Sequence, residues 1–230
     1  LGFERIVAYD HVVGAVHANR EPKLWGPYTE QDEFHEPLML FSYIAAITTD
    51  IELVTGVLIL PQRQAVLVAK QAADLDMLSG GRLVLGVGTG WNYVEYEALN
   101  TEFRNRAKRM EEQVELMRQL WTSPVNDFAG KYHRVDRGGI VPLPNRQIPV
   151  WFGGSAEASV RRAARMGDGY IFGNTGERIQ NALVILREEL VNQGRDVASF
   201  PTDAVLHLQR GEEALSPEVA AWKASDTTWL

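Results

Sequence analysis

The chain has 230 residues, 45% apolar, 9% aromatic and 23% charged, the make-up of an ordinary globular protein with apolar surface enough for a core. Its 23 Lys and Arg against 30 Asp and Glu leave a net charge of −7, and the basic residues are scattered apart from Arg161-Arg162-x-x-Arg165, so nothing favours nucleic acid or an acidic membrane surface. The absence of cysteine excludes disulfides, thiolate metal sites and a cysteine nucleophile and agrees with a cytoplasmic setting; no run of about eighteen apolar residues offers a membrane span.

In chain order, Leu1-Gly2-Phe3 reads as the end of a helix with its glycine stop, running into a strand over Glu4–Tyr9. Pro37 suits a first helical turn and leads a helix from Leu38 to Ile47. A strand over Ile51–Leu60, a helix over Gln64–Leu78 ended by Gly80-Gly81, and a strand over Arg82–Val87 follow. Phe103, Ala107, Met110, Val114, Met117 and Trp121 step by four and three, which keeps one helix face apolar. Thr122–Gln147 is irregular, and its Phe128-Ala-Gly-Lys-Tyr-His and Gly138-Gly139 read as an inserted hairpin. A strand over Ile148–Gly153 then precedes a helix over Ala156–Met166, capped by Ser155 and stopped by Gly167. A strand over Asp168–Gly173, a helix through Ile179, Leu183, Leu186 and Leu190 with Gly194 as its stop, and strands at Thr202–Gln209 and Thr227–Leu230 complete the pattern.

Strands separated by helices imply parallel pairing with right-handed crossovers. Seven strands, with one more restored before the opening helix, make the eight of a (β/α)8 TIM barrel. A doubly wound sheet would place a glycine-rich turn after its first strand, where Tyr9-Asp10-His11 stands instead. The expectation is an α/β chain: one TIM-barrel domain over 1–230, lacking its first strand and its C-terminal end, with a hairpin-like insertion around 122–147. A barrel short of a strand exposes two sheet edges, so such a piece on its own would tend to aggregate or need a partner.

In a barrel, chemistry gathers where strands end. The first strand ends in Asp10-His11, a carboxylate beside the side chain best suited to proton transfer near neutrality; the bland reading is a satisfied loop histidine with Asp10 capping a turn. Gly56-Val57 permits close approach of a flat ligand or an unusual backbone, or is a bulge. Gly86-Val-Gly88-Thr89-Gly90-Trp91 lacks the spacing and acidic partner of a dinucleotide fingerprint, but supplies bare backbone, a hydroxyl and an aromatic plane suited to a planar heterocycle. Glu95 and Glu97 behind it are acid/base candidates or solvated first-turn carboxylates. Gly153, Gly154 and Ser155 at a helix start form a candidate phosphate site, the alternative being a capped helix with a flexible entry, and Glu157 counts against an anion if it points inward. Gly173-Asn174-Thr175-Gly176 is a second donor-rich turn. No metal site is expected.

These pieces in this order resemble the luciferase-like monooxygenase family, and within it the branch dependent on the deazaflavin coenzyme F420. The resemblance rests on Leu1-Gly-Phe…Tyr9-Asp-His11, Ile51-x-Leu-x-Thr-Gly-Val-Leu-Ile-Leu-Pro61, Ala69-Lys-Gln…Leu75-Asp-x-Leu-Ser-Gly-Gly-Arg82, Leu85-Gly-Val-Gly-x-Gly-Trp91, Arg106…Glu112, Pro149-Val-Trp-Phe-Gly-Gly-Ser155 and Arg161-Arg…Gly167-Asp-Gly169. It implies a TIM barrel binding a flavin-type ring at its mouth, with a non-prolyl cis peptide at Gly56-Val57. Asp10 and Thr89 to Trp91 match positions that contact the ring or tail, Gly153 to Ser155 the phosphate cradle, and His11 a histidine near the reacting carbon. Trp91 stands where some sugar-phosphate dehydrogenases of the branch carry a glutamate proton donor, which speaks against a sugar phosphate. The segment Val12–His35, with Trp25, Tyr28 and Phe34, would shape the substrate pocket or form only a surface loop.

The activity this implies is hydride transfer between coenzyme F420 and a small organic substrate, with His11 handling a proton. The alternative within the family is an FMN-dependent monooxygenase using O2 and supplied by a flavin reductase; a non-catalytic, degenerate barrel is a further reading. A homo-oligomer is expected in either enzyme case.

Overall fold

A computed structural model of the chain describes residues 2–173, 177–204, 219, 220, 222 and 228. Its contacts divide it into two units, Leu1–Ile148 and Pro149–Leu230, each described by itself.

The first unit runs β1 (Arg5–Ala8), α1 (Pro37–Ile47), β2 (Glu52–Thr55), β3 (Leu58–Ile59), a 3-10 turn (Leu60–Gln62), α2 (Ala65–Leu78), β4 (Leu83–Gly88), α3 (Tyr93–Ala98), α4 (Arg106–Leu120), β5 (Asn126–Ala129) and β6 (Arg134–Gly138). β1 lies parallel to β2 with Ala8 opposite Thr55, β2 parallel to β4 with Leu53 opposite Leu83, and β3 parallel to β4 with Leu58 opposite Val87. All six residues of β4 are buried, as expected of a parallel strand covered on both faces. Over the sheet, α2 turns inward the small face of Ala65, Ala69, Ala72 and Ala73, which lets the helix approach closely, while α4 buries Met110, Val114, Met117 and Leu120. Of these, Met110, Val114 and Met117 are the apolar steps read from the sequence. The α4 helix begins at Arg106, so Phe103 lies before it and carries the Arg106 guanidinium over its ring at 3.7 Å.

Pro37 opens α1, where the Glu36 carboxylate accepts from the Met39 N–H at 2.7 Å. At its far end the Arg82 guanidinium donates to the carbonyls of Ala45 and Thr48, satisfying groups that a helix terminus leaves orphaned, and to that of Ile51 in the loop beyond. The helix buries Leu38, Phe41 and Ala45 and exposes an apolar stripe of Met39, Tyr43 and Ile47.

The strand expected over Ile51–Leu60 is interrupted. β2 stops at Thr55, the Gly56-Val57 peptide is cis, and the chain resumes as β3 before entering the 3-10 turn. The expected hairpin is present as β5 and β6, antiparallel, with Phe128 opposite Val135 and an irregular register between Asn126 and Phe128. Glu112 of α4 fastens it, accepting from the N–H groups of Lys131, Tyr132 and His133 at 2.7–2.8 Å and lying 2.8 Å from His133 Nδ1.

The second unit runs β7 (Val150–Gly154), α5 (Glu157–Met166), β8 (Gly169–Phe172), α6 (Glu177–Asn192) and β9 (Thr202–Ala204), with β7 parallel to β8 and β8 parallel to β9. Ile179, Leu183, Leu186 and Leu190 are the buried face of α6, and Gly194 follows it at φ +66°. The expected strand Thr202–Gln209 is seen over Thr202–Ala204; residues 205–209, and Thr227–Leu230 apart from Thr228, lie outside the described residues. Thr228 donates its N–H to the Thr202 carbonyl at 3.1 Å. No helix of the described residues is long and apolar enough to cross a membrane.

Candidate active site

Asp10 follows β1 with 2% of its surface exposed. Its Oδ2 accepts from the Ile59 N–H at 2.8 Å and from Arg63 Nε at 3.3 Å, and its Oδ1 meets Arg63 Nη2 at 2.7 Å. Arg63 reaches on to Glu36 at 2.8 Å. Burial alone would pull the Arg63 guanidinium down, but the Asp10 and Glu36 carboxylates outweigh it and raise its pKa. Asp10 thus ties the end of β1 to β3 and to the approach of α2.

His11 stands next to it in an aromatic enclosure. Its ring centroid is 4.9 Å from Phe34, 5.3 Å from Tyr28 and 5.7 Å from Trp91, and its Nδ1 lies 3.4 Å from Glu95 Oε2. The segment Val12–His35 therefore supplies two of the rings around the imidazole. Trp91 is clasped by the same segment. A Cβ at Gly26 would fall 2.2–2.4 Å from the indole carbons, and His17 meets the indole edge-on at 5.8 Å.

The solvated reading of Glu95 is overturned: it is 1% exposed. Asn92 caps α3, accepting from the Val94 and Glu95 N–H groups, which places Glu95 in the first turn. Its carboxylate accepts from the Val12 and Val13 N–H groups, the latter at 3.0 Å, and from Gln62 Nε2 at 2.9 Å. Burial pushes the Glu95 carboxyl up, but the bonds from His11, Gln62 and the two amides outweigh it and hold it below the usual carboxylate range. Glu97, by contrast, is exposed. The Asn92-x-x-Glu95 spacing in the sequence marks a helix start and puts Glu95 in its first turn, but it does not announce these remote partners.

Gly56 carries the unusual backbone: a Cβ there would sit 2.3 Å from Val7 Cγ1, so the close neighbour is the chain's own β1. Val57 is half-buried beside it. Thr89 and Gly90 follow β4; the Thr89 carbonyl accepts from the Tyr96 hydroxyl at 2.7 Å, and Gly90 takes φ +60°. The first unit thus brings Asp10, His11, Gly56, Val57, Thr89, Gly90, Trp91 and Glu95 to the ends of β1, β2 and β4. A groove of about 1070 Å³ elsewhere in this unit, between the start of α2, α4 and the hairpin, holds none of these eight.

In the second unit the expected Ser155 cap is not made. The N-cap of α5 is Ala156, in extended backbone, and no side chain bonds the first amides. β7 runs on through Gly154, so Ser155 and Ala156 are spent on the turn. Gly154 is exposed at φ +145°, where a side chain would be strained and its Cβ would sit 3.0 Å from Ser159 Oγ. Ser159 donates instead to the Gly153 carbonyl at 2.9 Å, and Tyr170 to that of Gly154 at 2.7 Å. Glu157 is ion-paired with Arg161 at 2.8 Å along the helix. Gly173 follows β8 and is exposed; Asn174, Thr175 and Gly176 lie outside the described residues.

The luciferase-like monooxygenase family model matches residues 1–225. The uncharacterized protein Rv0940c of Mycobacterium tuberculosis is 39% identical over 140 residues, 61% of this chain and 48% of the relative. Pyrimidine monooxygenase RutA of Allorhizobium ampelinum is 33% identical over 175 residues, 72% of this chain and 47% of its own. The chain spans about half the length of these curated relatives. Among solved structures, an F420-dependent secondary alcohol dehydrogenase in complex with an F420-acetone adduct superposes with TM-score 0.73 at 20% identity, over 88% of this chain and 60% of that one. A riboflavin lyase with modified FMN gives 0.72 at 21%, over 88% and 51%. The fold is accordingly the α/β, TIM-barrel fold expected from the sequence, of which this chain is a part. The chain belongs to the luciferase-like monooxygenase family, whose members are oxidoreductases.

Proposed function

We propose that the protein is an oxidoreductase that transfers a hydride between coenzyme F420 and a small organic substrate, with His11 moving the accompanying proton. The observation that carries this reading is the imidazole itself, enclosed by Tyr28, Phe34 and Trp91 and facing a buried carboxylate. Oxidation of an alcohol, or its reverse, needs a group that takes or gives a hydroxyl proton, and an imidazole shielded from bulk water suits that task. Asp10 acts through Ile59 and Arg63 to hold the strand end behind the site.

Each unit, taken by itself, offers groups suited to part of such a cofactor. In the second unit, Gly153, Gly154, Ser155 and the side-chain-free amides opening α5 would hold a phosphate; Gly173 and Asn174 are carried over from the donor-rich turn read in the sequence as further contacts. In the first, Gly56, Val57, Thr89 and Gly90 offer backbone to the ring. When bound, a deazaflavin supplies a ring carbon that accepts or gives hydride and reacts poorly with O2. The second reading, an FMN-dependent monooxygenase served by a flavin reductase, draws on the likeness to RutA and to the riboflavin lyase. The exposed Met39-Tyr43-Ile47 stripe supports a homo-oligomer in either case.

Turnover of the full-length protein with F420 and candidate alcohols or activated alkenes, without oxygen, tests the proposal. His11→Ala should cut turnover by about a hundredfold or more with cofactor binding largely kept. Unchanged turnover would return His11 to a structural role.

A further inference from the structure

Glu95 occupies the third position of α3 behind the Asn92 cap, where a glutamate ordinarily reaches back to the N–H of its own cap residue. It reaches outward instead. Oε1 takes the amides of Val12 and Val13, and Oε2 takes Gln62 Nε2 and faces His11 Nδ1 at 3.4 Å. The rings of Tyr28, Phe34 and Trp91 also flank the imidazole, and the exposed Asp32 carboxylate acts on it electrostatically.

We infer that Glu95 is a positioning residue for His11: its acceptor-only carboxylate holds the imidazole with hydrogen on Nδ1, leaving Nε2 bare as the atom that takes or gives the proton. The importance of this for turnover rests on the proposed role of His11; the tautomer itself does not.

Docking the segment after β1 would need only an acceptor at Oε1. Glutamine supplies that acceptor, but presents an NH2 where Oε2 stood. Gln62, whose Oε1 is buried without a partner, can turn its amide over to receive it. The same NH2 donates toward Nδ1, so the imidazole must move its hydrogen to Nε2. Glu95→Gln therefore keeps the dock and inverts the tautomer, which a purely structural role would not do.

The test is long-range nitrogen–hydrogen correlation NMR of the full-length, histidine-labelled protein at a pH where the imidazole is neutral, with the His11 signals identified by their loss in His11→Gln. Hydrogen on Nδ1 in the wild type and on Nε2 in Glu95→Gln is expected. With F420, turnover of Glu95→Gln should fall about tenfold or more at nearly unchanged cofactor affinity, and Glu95→Asp should recover part of it. Hydrogen on Nε2 in the wild type, or the same tautomer in both proteins, overturns the inference. Should Glu95→Gln not fold, the wild-type spectrum alone decides. An inverted tautomer in a protein that binds neither F420 nor FMN would sink the redox reading and uphold the positioning role.

Discussion

Asp10 and Arg63 form a buried pair across 53 residues of sequence, Oδ1 to Nη2 at 2.7 Å, with their side chains 1% and 14% exposed. Breaking such a pair costs more than the pair contributes, because the partner left behind is a buried charge. Arg63→Met should destabilise the protein by about 3 kcal/mol in urea unfolding. A change under about 1 kcal/mol would mean that water reaches Asp10.

Arg146 and Asp76 make a second such tie, through Nη2 at 2.7 Å, with the same guanidinium donating to the Leu83 carbonyl at 2.8 Å. Arg146 is 37% exposed at its side chain, so Arg146→Ala should cost less, about 2 kcal/mol. Replacing Asp76 by Leu in the same chain should recover most of that loss. Additive losses in the double variant would contradict the buried-charge account.

Glu112 sets the response of the hairpin to acid. Burial pushes its carboxyl up, but the Tyr132 amide, His133 and the amides of Lys131 and His133 outweigh it and hold it below its ordinary value of 4.5. With the folded value depressed, the unfolded chain binds more protons, so stability rises with pH. The contribution is complete above the ordinary value and disappears as pH falls through the folded one. Glu112→Gln should flatten the acid limb of a melting-temperature curve taken between about pH 3 and 7. An acid limb as steep as in the wild type would assign the pH response to other carboxylates, Glu95 first among them.

The phosphate proposal is separable from the ring. Ser155→Ala with Gly154→Ala should weaken FMN or F420 by about tenfold and riboflavin hardly at all, read by equilibrium titration. Equal weakening of all three would place the phosphate elsewhere.

Regular elements were legible where a single local signal decides them. The four-and-three step of Met110, Val114 and Met117 marks α4, and Pro37 marks the start of α1. What escaped depends on contacts remote in sequence. Within the run Ile51–Leu60 only Gly56-Val57 marks the break between Thr55 and Leu58; that position 56 must be glycine comes from Val7 of β1, which stands where a side chain would go. Ser155 reads as a cap, but β7 continues far enough to push the helix start past it. Glu95 reads as a surface carboxylate because its partners, His11 to Val13 and Gln62, are brought to it only by the pairing of β1, β2 and β4.

The most direct test of the account is a pair of titrations of the full-length protein with coenzyme F420 and with FMN, following quenching of tryptophan emission. Saturable binding of F420, with FMN bound weakly or not at all, is the result predicted. Binding of FMN alone would contradict the deazaflavin assignment and make the protein a candidate O2-using monooxygenase. Binding of neither would contradict the redox reading as a whole.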